Sequence, residues 1–497
     1  MANAGCLLNT LASSIGGRIH EGPGLDSQVC LAPALGPPHP ACYRARVSPS
    51  EQWPKLLSYA RLGAQARPAP PAGDNAPRTD FQRDFDRIVF STAFRRLHDK
   101  TQVFPLPEND LVHSRLTHSL EVSCVGRSLG TMVGAKVLER HPELAGAEVS
   151  ARSFGDIVAA ACLAHDIGNP PFGHAGEDAI GSWFKGHREH TEGLTDQERA
   201  DLEQFEGNAQ GFRILTRLQI PKNPGLQLTL ATLAAFTKYP RGAGPRPATG
   251  GIATKKHGFF QTEEALFAQV AEGTGLVPQD GLGVTAWSRH PLAYLVEAAD
   301  DVCYCILDIE DGFRLGLVDF ADAHERLTAI ASHDARFVPQ PAPTDPDERK
   351  ERISYLRAKA INHLANEVQD AFLEREAALV AGEPQPKGLS DDIPSAQALR
   401  DIKDFTLRTC YRSRGVVQIE LAGYEVLQSM LDVLVPAVLA EAPTQKQSKL
   451  LTVIPVGPQP EWGAYQRLLR VTDYLSGMTD SYAVSMFQRL TGVSLPR

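Results

Sequence analysis

The chain has 497 residues, of which 42% are hydrophobic and 22% charged. This composition supplies a buried core and excludes a disordered or fibrous protein. The formal net charge of -9 argues against an extended basic surface for polyanions, although it leaves room for local basic pockets. The longest apolar runs, such as residues 157–164, fall short of the roughly 18 residues that a membrane-spanning helix needs. We therefore expect no membrane association.

The cysteines and the first residues bear on the compartment. Eight cysteines in so long a chain are too few for a disulfide framework, and no two are spaced as CxxC. Residues 1–17 carry no charged segment ahead of their short apolar patch, unlike a secretory signal. These features predict a cytoplasmic protein.

Composition changes along the chain suggest its organisation. Residues 1–50 are rich in Gly, Pro and Ala without periodicity, which predicts a poorly ordered extension. Helical patterns then dominate, so we expect an all-α protein with a helical core over 51–330 and a helical C-terminal region over 331–497. Proline and glycine predict surface loops at 339–346 and 382–394. A short hairpin around 250–261 is the one candidate for β-structure.

Three segments carry apolar residues at helical spacing. The first follows Arg115, and its stripe consists of Val122, Val125, Leu129 and Met132. The second, residues 154–167, is apolar almost throughout and ends at Gly168, which predicts a helix buried on most sides. The third spans 291–311, and its stripe consists of Leu295, Ala299, Val302, Ile306 and Ile309.

The candidate chemistry centres on His165 and Asp166, at the end of the second segment. Burying these side chains costs free energy unless they are paired or bound to a metal. His118 lies one turn before Val122, at the start of that helix's core stripe. Asp300 lies on a polar stripe of the third helix with Glu297, Tyr304 and Asp308, which periodicity alone would assign to a solvated face. From the pattern alone, a metal site and a structural His–Asp pair both remain open.

The order His118…His165-Asp166…Asp300 resembles the H…HD…D metal signature of the HD phosphohydrolase superfamily. Further blocks, in order over roughly residues 52–490, resemble the deoxyguanosine triphosphate triphosphohydrolase-like family. These blocks are RTDFQRDFDR (78–87), FRRL (94–97), KTQVF (100–104), RLTHSLEV (115–122), HDIGNPPFGH (165–174), EGNAQGF (206–212), EAADD (297–301) and SGMTD (476–480).

The resemblance implies a divalent metal held by His118, His165, Asp166 and Asp300 in an HD metal-binding catalytic core over 51–330. It also implies that the C-terminal helical region over 331–497 completes the nucleotide pocket. A mixed nitrogen and oxygen donor set suits Mn, Fe, Mg, Co or Ni better than a closed thiolate zinc site does. The implied reaction is hydrolysis of a deoxynucleoside triphosphate to deoxynucleoside and intact triphosphate. The bond broken joins the α-phosphorus to the 5′ oxygen, a poor leaving group that needs a proton.

His174 and Glu177 follow the Pro170-Pro171 turn at i,i+3 spacing, which places them on one helix face. We expect a proton-transfer pair in which Glu177 orients His174 and raises its pKa. The alternative is a first-turn glutamate favoured by the helix dipole, with an incidental histidine beside it. Whether His174 acts as acid, base or nucleophile stays open.

The resemblance also implies a set of substrate-binding positions. The triphosphate would contact Arg115, Asn208, Lys238 and Lys255. The sugar would meet Tyr304, Asp308 and Gln102, with the Tyr304 ring excluding a 2′-hydroxyl. Glu420 and Arg467 are candidates for base recognition, although both could be ordinary surface charges.

Two other functions compete with this prediction. One is an HD phosphohydrolase acting on nucleoside monophosphates, cyclic nucleotides or hyperphosphorylated guanosine, against which the blocks outside the metal signature argue. The other is a catalytically lapsed oligomer that binds nucleotides or single-stranded DNA, against which the intact metal and catalytic positions argue. The resemblance further implies a homo-oligomer, with dNTPs or single-stranded DNA as possible allosteric effectors.

Overall fold

In the computed structural model, residues 48–63, 78–102, 113–146, 149–220, 225–455, 457 and 459–493 are described. Among these residues the regular structure is helical, with isolated β-bridges and no strand, which confirms the all-α prediction. The first nine α-helices are α1 Pro49–Leu56, α2 Asp80–Val89, α3 Thr92–Arg96, α4 Arg115–Arg140, α5 Ala151–Ala164, α6 Gly173–Gly186, α7 Asp196–Glu203, α8 Gly207–Arg213 and α9 Leu230–Phe236. The others are α10 Glu264–Thr274, α11 Pro291–Arg314, α12 Phe320–Ala331, α13 Pro346–Val380, α14 Ala396–Thr406, α15 Arg414–Leu439, α16 Gln445–Leu451, α17 Ala464–Ser476 and α18 Asp480–Thr491.

The helices α4 and α5 pack unusually closely because glycines line their contact. A Cβ at Gly130 would lie 2.7 Å from the Phe154 carbonyl oxygen, and one at Gly134 would lie 2.8 Å from the Phe154 ring. Gly126 faces Cys162 in the same way, so the two helices run antiparallel. This register brings the start of α4, with His118, beside the end of α5, with His165. The buried face therefore follows the glycines, and Val125 and Met132 of the predicted stripe are only half-buried.

A tight turn connects α5 to α6. His165 caps α5, and the chain then passes Gly168, where a Cβ would overlap the backbone of Gly207 and Gly211 in α8. Phe172 has φ 62° and Gly173 φ 58°, so two successive residues lie in the left-handed region. Strain of this kind at a non-glycine residue costs about 1–3 kcal/mol and is frequent near functional sites.

The buried apolar side chains form two clusters. The first cluster is built mainly by α2, α4, α5 and α9–α14. The second cluster is built mainly by α6, α7, α15, α17 and α18, around Trp183, Leu427 and Leu468. The chain passes from the first cluster to the second at the turn before α6 and returns at Phe212, near the end of α8. Apart from Phe260, it then stays with the first cluster until it enters the second again at α15. Residue 330, the expected end of the catalytic core, lies within α12 of the first cluster.

Several local expectations can be compared with the structure. The hairpin expected over 250–261 is wrong, because Gly251–Thr254 forms a 3₁₀ turn and the described residues there form no bridge. Residues 339–346 form an exposed connection, as predicted, whereas the loop over 382–394 buries its residues 388–390. The extension expected over 1–50 lies outside the described residues except for its last three.

One described helix, α15, is long and apolar enough to span a membrane by length and composition, a feature that the search for long apolar runs missed. Half of its most apolar window is buried inside the protein. Leu427, Leu431 and Leu434 lie on this buried face, within the second cluster. The core helix of a soluble protein has the same character.

Candidate metal centre and substrate cleft

Four side chains converge where α4, α5 and α11 meet. Nε2 of His118 lies 3.1 Å from Oδ1 of Asp300. Nε2 of His165 lies 3.5 Å from Oδ1 of Asp300 and 3.5 Å from Oδ1 of Asp166. Ligand atoms of His118, His165 and Asp300 all lie within 4.8 Å of one another. The predicted ligands thus face one small volume, including Asp300, whose polar stripe lies inside the site instead of on a solvated face.

The orientation of His165 suits metal binding. Its Nδ1 lies 2.6 Å from the carbonyl oxygen of Cys162, and because a carbonyl only accepts, Nδ1 carries the proton. The lone pair of Nε2 therefore faces the two carboxylates. A hydrogen bond from the remote ring nitrogen to a carbonyl is typical of metal-ligating histidines.

Both carboxylates remain ionised. Burial alone would raise the pKa of Asp166, but Arg115 and the two imidazoles lower it to about 2. Burial opposes ionisation of Asp300 as well, yet Lys238, with Nζ 2.7 Å from Oδ2, holds the pKa of Asp300 well below its usual value. Oδ2 of Asp166 lies 2.9 Å from Nη1 of Arg115, and a carboxylate has further lone pairs beyond the one that faces this ion pair. Two imidazoles and two carboxylates with available lone pairs fit a divalent cation.

Cations surround this group. Arg115 is buried beside Asp166 and passes under Gly173, where a Cβ would lie 2.6 Å from its Nη2. Lys238 contacts Asp300, as described above. On the other side, Nζ of Lys256 lies 2.8 Å from Oε1 of Glu206. Each of these cations faces a carboxylate, so together with a divalent metal in the ligand cluster they would favour a polyanionic ligand.

The predicted proton-transfer pair is arranged differently from expectation. Glu177 is buried and accepts the N–H of Gly207 at 2.6 Å, with Lys256 Nζ 3.8 Å from its other oxygen. No hydrogen bond or ion pair of the described residues joins it to His174. The His174 side chain is exposed, but desolvation by the protein around it, together with the charges of Arg115 and Lys256, lowers the pKa of its imidazole. The expectation that the pKa of His174 is raised is therefore wrong.

The face predicted for the sugar continues along α11 from Asp300. Tyr304 is half-buried, and its ring centre lies 5.7 Å from that of Tyr411. Asp308 is buried and accepts the Tyr411 hydroxyl at 2.7 Å. Burial raises the pKa of Asp308 to about 7, although this hydrogen bond opposes the shift. Gln102 is half-buried, and its Oε1 has no hydrogen-bond partner among the described residues.

The remaining predicted residues divide into two groups. Asn208 belongs to the cleft, because its Nδ2 donates to Oε1 of Glu206 at 2.7 Å. Lys255 is exposed, and no described contact connects it with the cleft. Glu420 is half-buried on α15, near Tyr424. Arg467 donates to the carbonyl oxygens of Trp462 at 2.8 Å and Val438 at 3.3 Å, which is a structural role.

Four residues at the site escaped the sequence reasoning. Lys256 and Tyr411 are described above. Lys100 is buried and donates to the carbonyl oxygens of Asn169 at 2.5 Å and Ser476 at 2.7 Å. Asp480 accepts the N–H groups of Thr101 at 2.9 Å and Phe172 at 3.0 Å. Lys100 and Asp480 lie in blocks that carry the resemblance, and that was the available signal.

The helical fold and its His, His-Asp and Asp cluster define an HD phosphohydrolase. Residues 115–213 match the HD domain family, and residues 394–489 match the phosphohydrolase-associated domain. A deoxyguanosinetriphosphate triphosphohydrolase-like protein from Synechocystis sp. is 46% identical over 89% of this chain and 100% of its own length. One from Pseudomonas aeruginosa is 40% identical over 89% of this chain and 99% of its own length. A deoxyguanosinetriphosphate triphosphohydrolase from Enterobacter sp. is 31% identical over 83% of this chain and 94% of its own length. The chain belongs to the deoxyguanosinetriphosphate triphosphohydrolase-like family.

Proposed function

We propose that this protein hydrolyses deoxynucleoside triphosphates, including dGTP, to deoxynucleoside and inorganic triphosphate in the presence of a divalent metal. The observation that carries the proposal is the position of the ligand cluster formed by His118, His165, Asp166 and Asp300. It lies between a cationic region and the face that continues along α11. The name of the Enterobacter relative supports this choice of substrate.

The shape of the cleft supports one orientation of the nucleotide. Successive side chains four residues apart on α11 are displaced by about 6 Å along the helix axis. A sugar on Tyr304 and Asp308 would therefore lie one turn from an α-phosphate at Asp300. The triphosphate would extend towards Arg115, Lys238 and Lys256, whose charges complement it, with Asn208 as a neutral donor. Tyr304 would exclude a 2′-hydroxyl, while Asp308 and Gln102 would bind the 3′-hydroxyl.

The chemistry requires a proton on the departing 5′ oxygen. When bound, a divalent ion held by the ligand cluster polarises the α-phosphate and favours ionisation of water. In the free protein, desolvation by the surrounding protein and the charges of Arg115 and Lys256 lower the pKa of His174, which favours its neutral form. A bound triphosphate offsets those charges and raises the pKa of His174. The imidazole can then hold a proton and transfer it at the 5′ oxygen.

Glu177 contributes by position. Its carboxylate accepts the Gly207 N–H at the start of α8, next to Asn208. Together with Glu206 it fixes the ammonium group of Lys256 at the edge of the cleft. We therefore assign Glu177 to positioning two groups proposed to bind the triphosphate, Asn208 at the start of α8 and Lys256.

Product analysis tests the proposal directly. The protein is incubated with one dNTP and Mn²⁺, Mg²⁺ or Co²⁺ in turn, and the products are separated by anion exchange. We expect deoxynucleoside and triphosphate in equal amounts. Pyrophosphate with a deoxynucleoside monophosphate, or single phosphates, would favour the other HD phosphohydrolase activities. Absence of turnover with every metal would favour a lapsed nucleotide-binding or DNA-binding oligomer.

We further propose that the protein is a cytoplasmic homo-oligomer whose activity can respond to a second dNTP or to single-stranded DNA. All five described cysteines, including Cys162 and Cys303, are free thiols, as a reducing compartment favours. A panel of dNTPs, each assayed with and without a second nucleotide or an oligonucleotide, tests the effector response. Sedimentation under the same conditions gives the oligomeric state.

A further inference from the structure

A second group of metal-binding side chains lies outside the HD cluster. His333 follows the end of α12, and His363 and Glu367 lie one turn apart on α13. Their ligand atoms all lie within 4.8 Å of one another. Nε2 of His363 is 2.8 Å and Nδ1 of His333 is 3.8 Å from the same oxygen, Oε1 of Glu367. The two ring centres are 5.8 Å apart, at a steep angle.

The carboxylate is held so that this oxygen faces both rings. Glu367 is buried, and its Oε2 accepts the N–H of Ser395 at 3.0 Å. The Ser395 hydroxyl lies 3.1 Å from Oε1 and 3.3 Å from Nδ1 of His333. Fixing a ligand carboxylate by a backbone N–H is a common feature of metal sites.

An ordinary helix ion pair accounts for only part of this arrangement. His363 and Glu367 have the i,i+4 spacing of such pairs. His333 comes from another segment, and its ring meets the same carboxylate oxygen. Two ligand atoms that each lie about 2.1 Å from one ion, with an angle of about 90–110° at the ion, are about 3.0–3.4 Å from each other. The distances of 2.8 and 3.8 Å bracket that range, so small side-chain rotations would admit an ion.

We propose that His333, His363 and Glu367 form a second metal site, selective for a borderline ion such as Zn²⁺, separate from the HD cluster and independent of the proposed function. Two imidazoles and one carboxylate suit zinc and its neighbours better than magnesium or calcium. The partly exposed position of His333 leaves room for water as a further ligand.

The site has a consequence for the loop over 382–395. Ser395, which supports the carboxylate, ends this loop at the start of α14. Farther back in the loop, the Ser390 hydroxyl donates to Asp301, the neighbour of Asp300, at 2.5 Å. The Gln385 carbonyl accepts the Ile252 N–H at 2.9 Å. An ion at the second site would therefore fasten a loop that supports the cleft from behind.

Zinc stoichiometry tests the site. The full chain is stripped with a chelator and dialysed against buffered Zn²⁺, and bound zinc is measured by mass spectrometry. We expect one more zinc ion per chain in the wild type than in His333→Ala or His363→Ala, with affinity for that ion at least about tenfold weaker in either variant. His98→Ala, which removes an exposed histidine elsewhere, should bind as many zinc ions as the wild type. Unchanged zinc binding in both test variants, or no zinc in the wild type, would overturn the second site.

A variant of the HD cluster separates this test from the proposed function. His165→Ala should retain one zinc ion, and His165→Ala combined with His363→Ala should retain none. Zinc should slow hydrogen exchange of the backbone amides over 388–396 in His165→Ala but not in the double variant. Retention of an ion by the double variant would overturn the ligand assignment, and equal exchange would overturn the fastening of the loop. Failure of the proposed function would show in the product analysis and leave these results unchanged.

Discussion

The two apolar clusters contribute different chemistry to one cleft. The first cluster supports α4, α5 and α11, and through them His118, His165 and Asp300. The second cluster supports α6, and with it His174 and Glu177. The candidate metal ligands are therefore anchored in the first core. The groups proposed to move a proton and to position the triphosphate are anchored in the second. A change in one core can thus leave the other set of groups in place.

Buried polar contacts join the two cores beside the turn that precedes α6. Lys100 donates to Asn169 in that turn and to Ser476 at the end of α17. Asp480, at the start of α18, accepts from Thr101 and from Phe172. These contacts hold the turn that leads from Asp166 to His174. The relative position of the two sets of groups is therefore expected to depend on the junction as well as on each core.

The largest effect should follow from removing a ligand anchored in the first core. His165→Ala should abolish dNTP hydrolysis and bound catalytic metal, because Nε2 of His165 faces both carboxylates. This variant is cleaner than Asp300→Ala, which would leave the buried Lys238 ammonium unpaired. Metal content, turnover and circular dichroism check the prediction. Retained turnover with metal bound would refute the ligand assignment.

A change in the second core should separate chemistry from metal binding. His174→Ala should keep its metal and bind dNTP, while kcat falls by about 10²–10⁴-fold, as is typical for a lost proton-transfer group. Glu177→Gln should lose less, because Glu177 contacts Gly207 and not the imidazole. Single-turnover rates and metal analysis measure both effects. A metal-free His174→Ala would show that the two cores are not separate in function.

The pH dependence gives an independent check on His174. In the free protein the pKa of His174 lies below its usual value of 6.5. If His174 donates its proton to the 5′ oxygen, as proposed, its protonated form is required and kcat/KM should fall as pH rises above that lowered pKa. This alkaline limb should disappear in His174→Ala. A value of kcat/KM that falls only as pH decreases through that pKa would assign the neutral form and contradict the proposed proton donation.

A change at the junction should affect both cores together. Asp480→Ala leaves the buried N–H of Phe172 and the partly buried N–H and hydroxyl of Thr101 without their acceptor, next to the left-handed backbone of Phe172. Each unsatisfied buried group costs about 1–3 kcal/mol, so we expect a loss of about 3 kcal/mol in unfolding free energy, together with reduced turnover. Asp322→Ala is the matched control, because it removes a half-exposed ion pair worth at most about 1 kcal/mol. Urea unfolding and turnover of the two variants decide whether the junction has this role.

Sugar selection should depend on the first core alone. Tyr304→Ala should open space beside the sugar and reduce the dGTP-to-GTP ratio of kcat/KM by about tenfold, mainly by improving use of GTP. Tyr411→Phe keeps a ring in contact with Tyr304 but removes the hydroxyl that donates to Asp308. It should weaken preference for a 3′-hydroxyl over a 2′,3′-dideoxy substrate and leave GTP exclusion intact. Equal losses on all substrates in both variants would contradict the sugar assignment.

Sequence periodicity was sufficient for the long helices and for the residues that share a helix. It placed Asp300, Tyr304 and Asp308 on one face of α11, and the apolar stripe behind them is buried as predicted. It misjudged α4, where the buried face is set by Gly126, Gly130 and Gly134. Glycine has no apolar side chain, so a search for apolar stripes does not detect a helix face that is buried because its glycines allow a neighbouring helix to pack closely.

Contacts between distant segments could not be predicted from pattern. Nothing in the spacing indicates that Glu177 binds the N–H of Gly207 instead of the His174 ring, or that Tyr411 reaches Asp308. Arg467 fits a base-reading role in sequence, yet its guanidinium is committed to backbone carbonyls. Such pairings depend on how the two cores meet, which no single helix encodes.

The smallest effect concerns two adjacent lysines that sequence spacing could not tell apart. Lys255, the predicted phosphate contact, is exposed, whereas Lys256 is half-buried between Glu206 and Glu177. Without Lys256, these two buried carboxylates would face an incoming triphosphate unneutralised. We expect Lys256→Ala to weaken dNTP binding by about tenfold, or about 1.4 kcal/mol, at low ionic strength. Lys255→Ala is the matched control and should stay within about twofold of the wild type, since an exposed charge is screened by solvent and salt. Titration of a non-hydrolysable dNTP analogue at two salt concentrations measures both variants. A larger loss in Lys255→Ala than in Lys256→Ala would place the triphosphate outside the region bounded by Glu177 and Glu206. The second core would then not contribute to triphosphate binding as proposed.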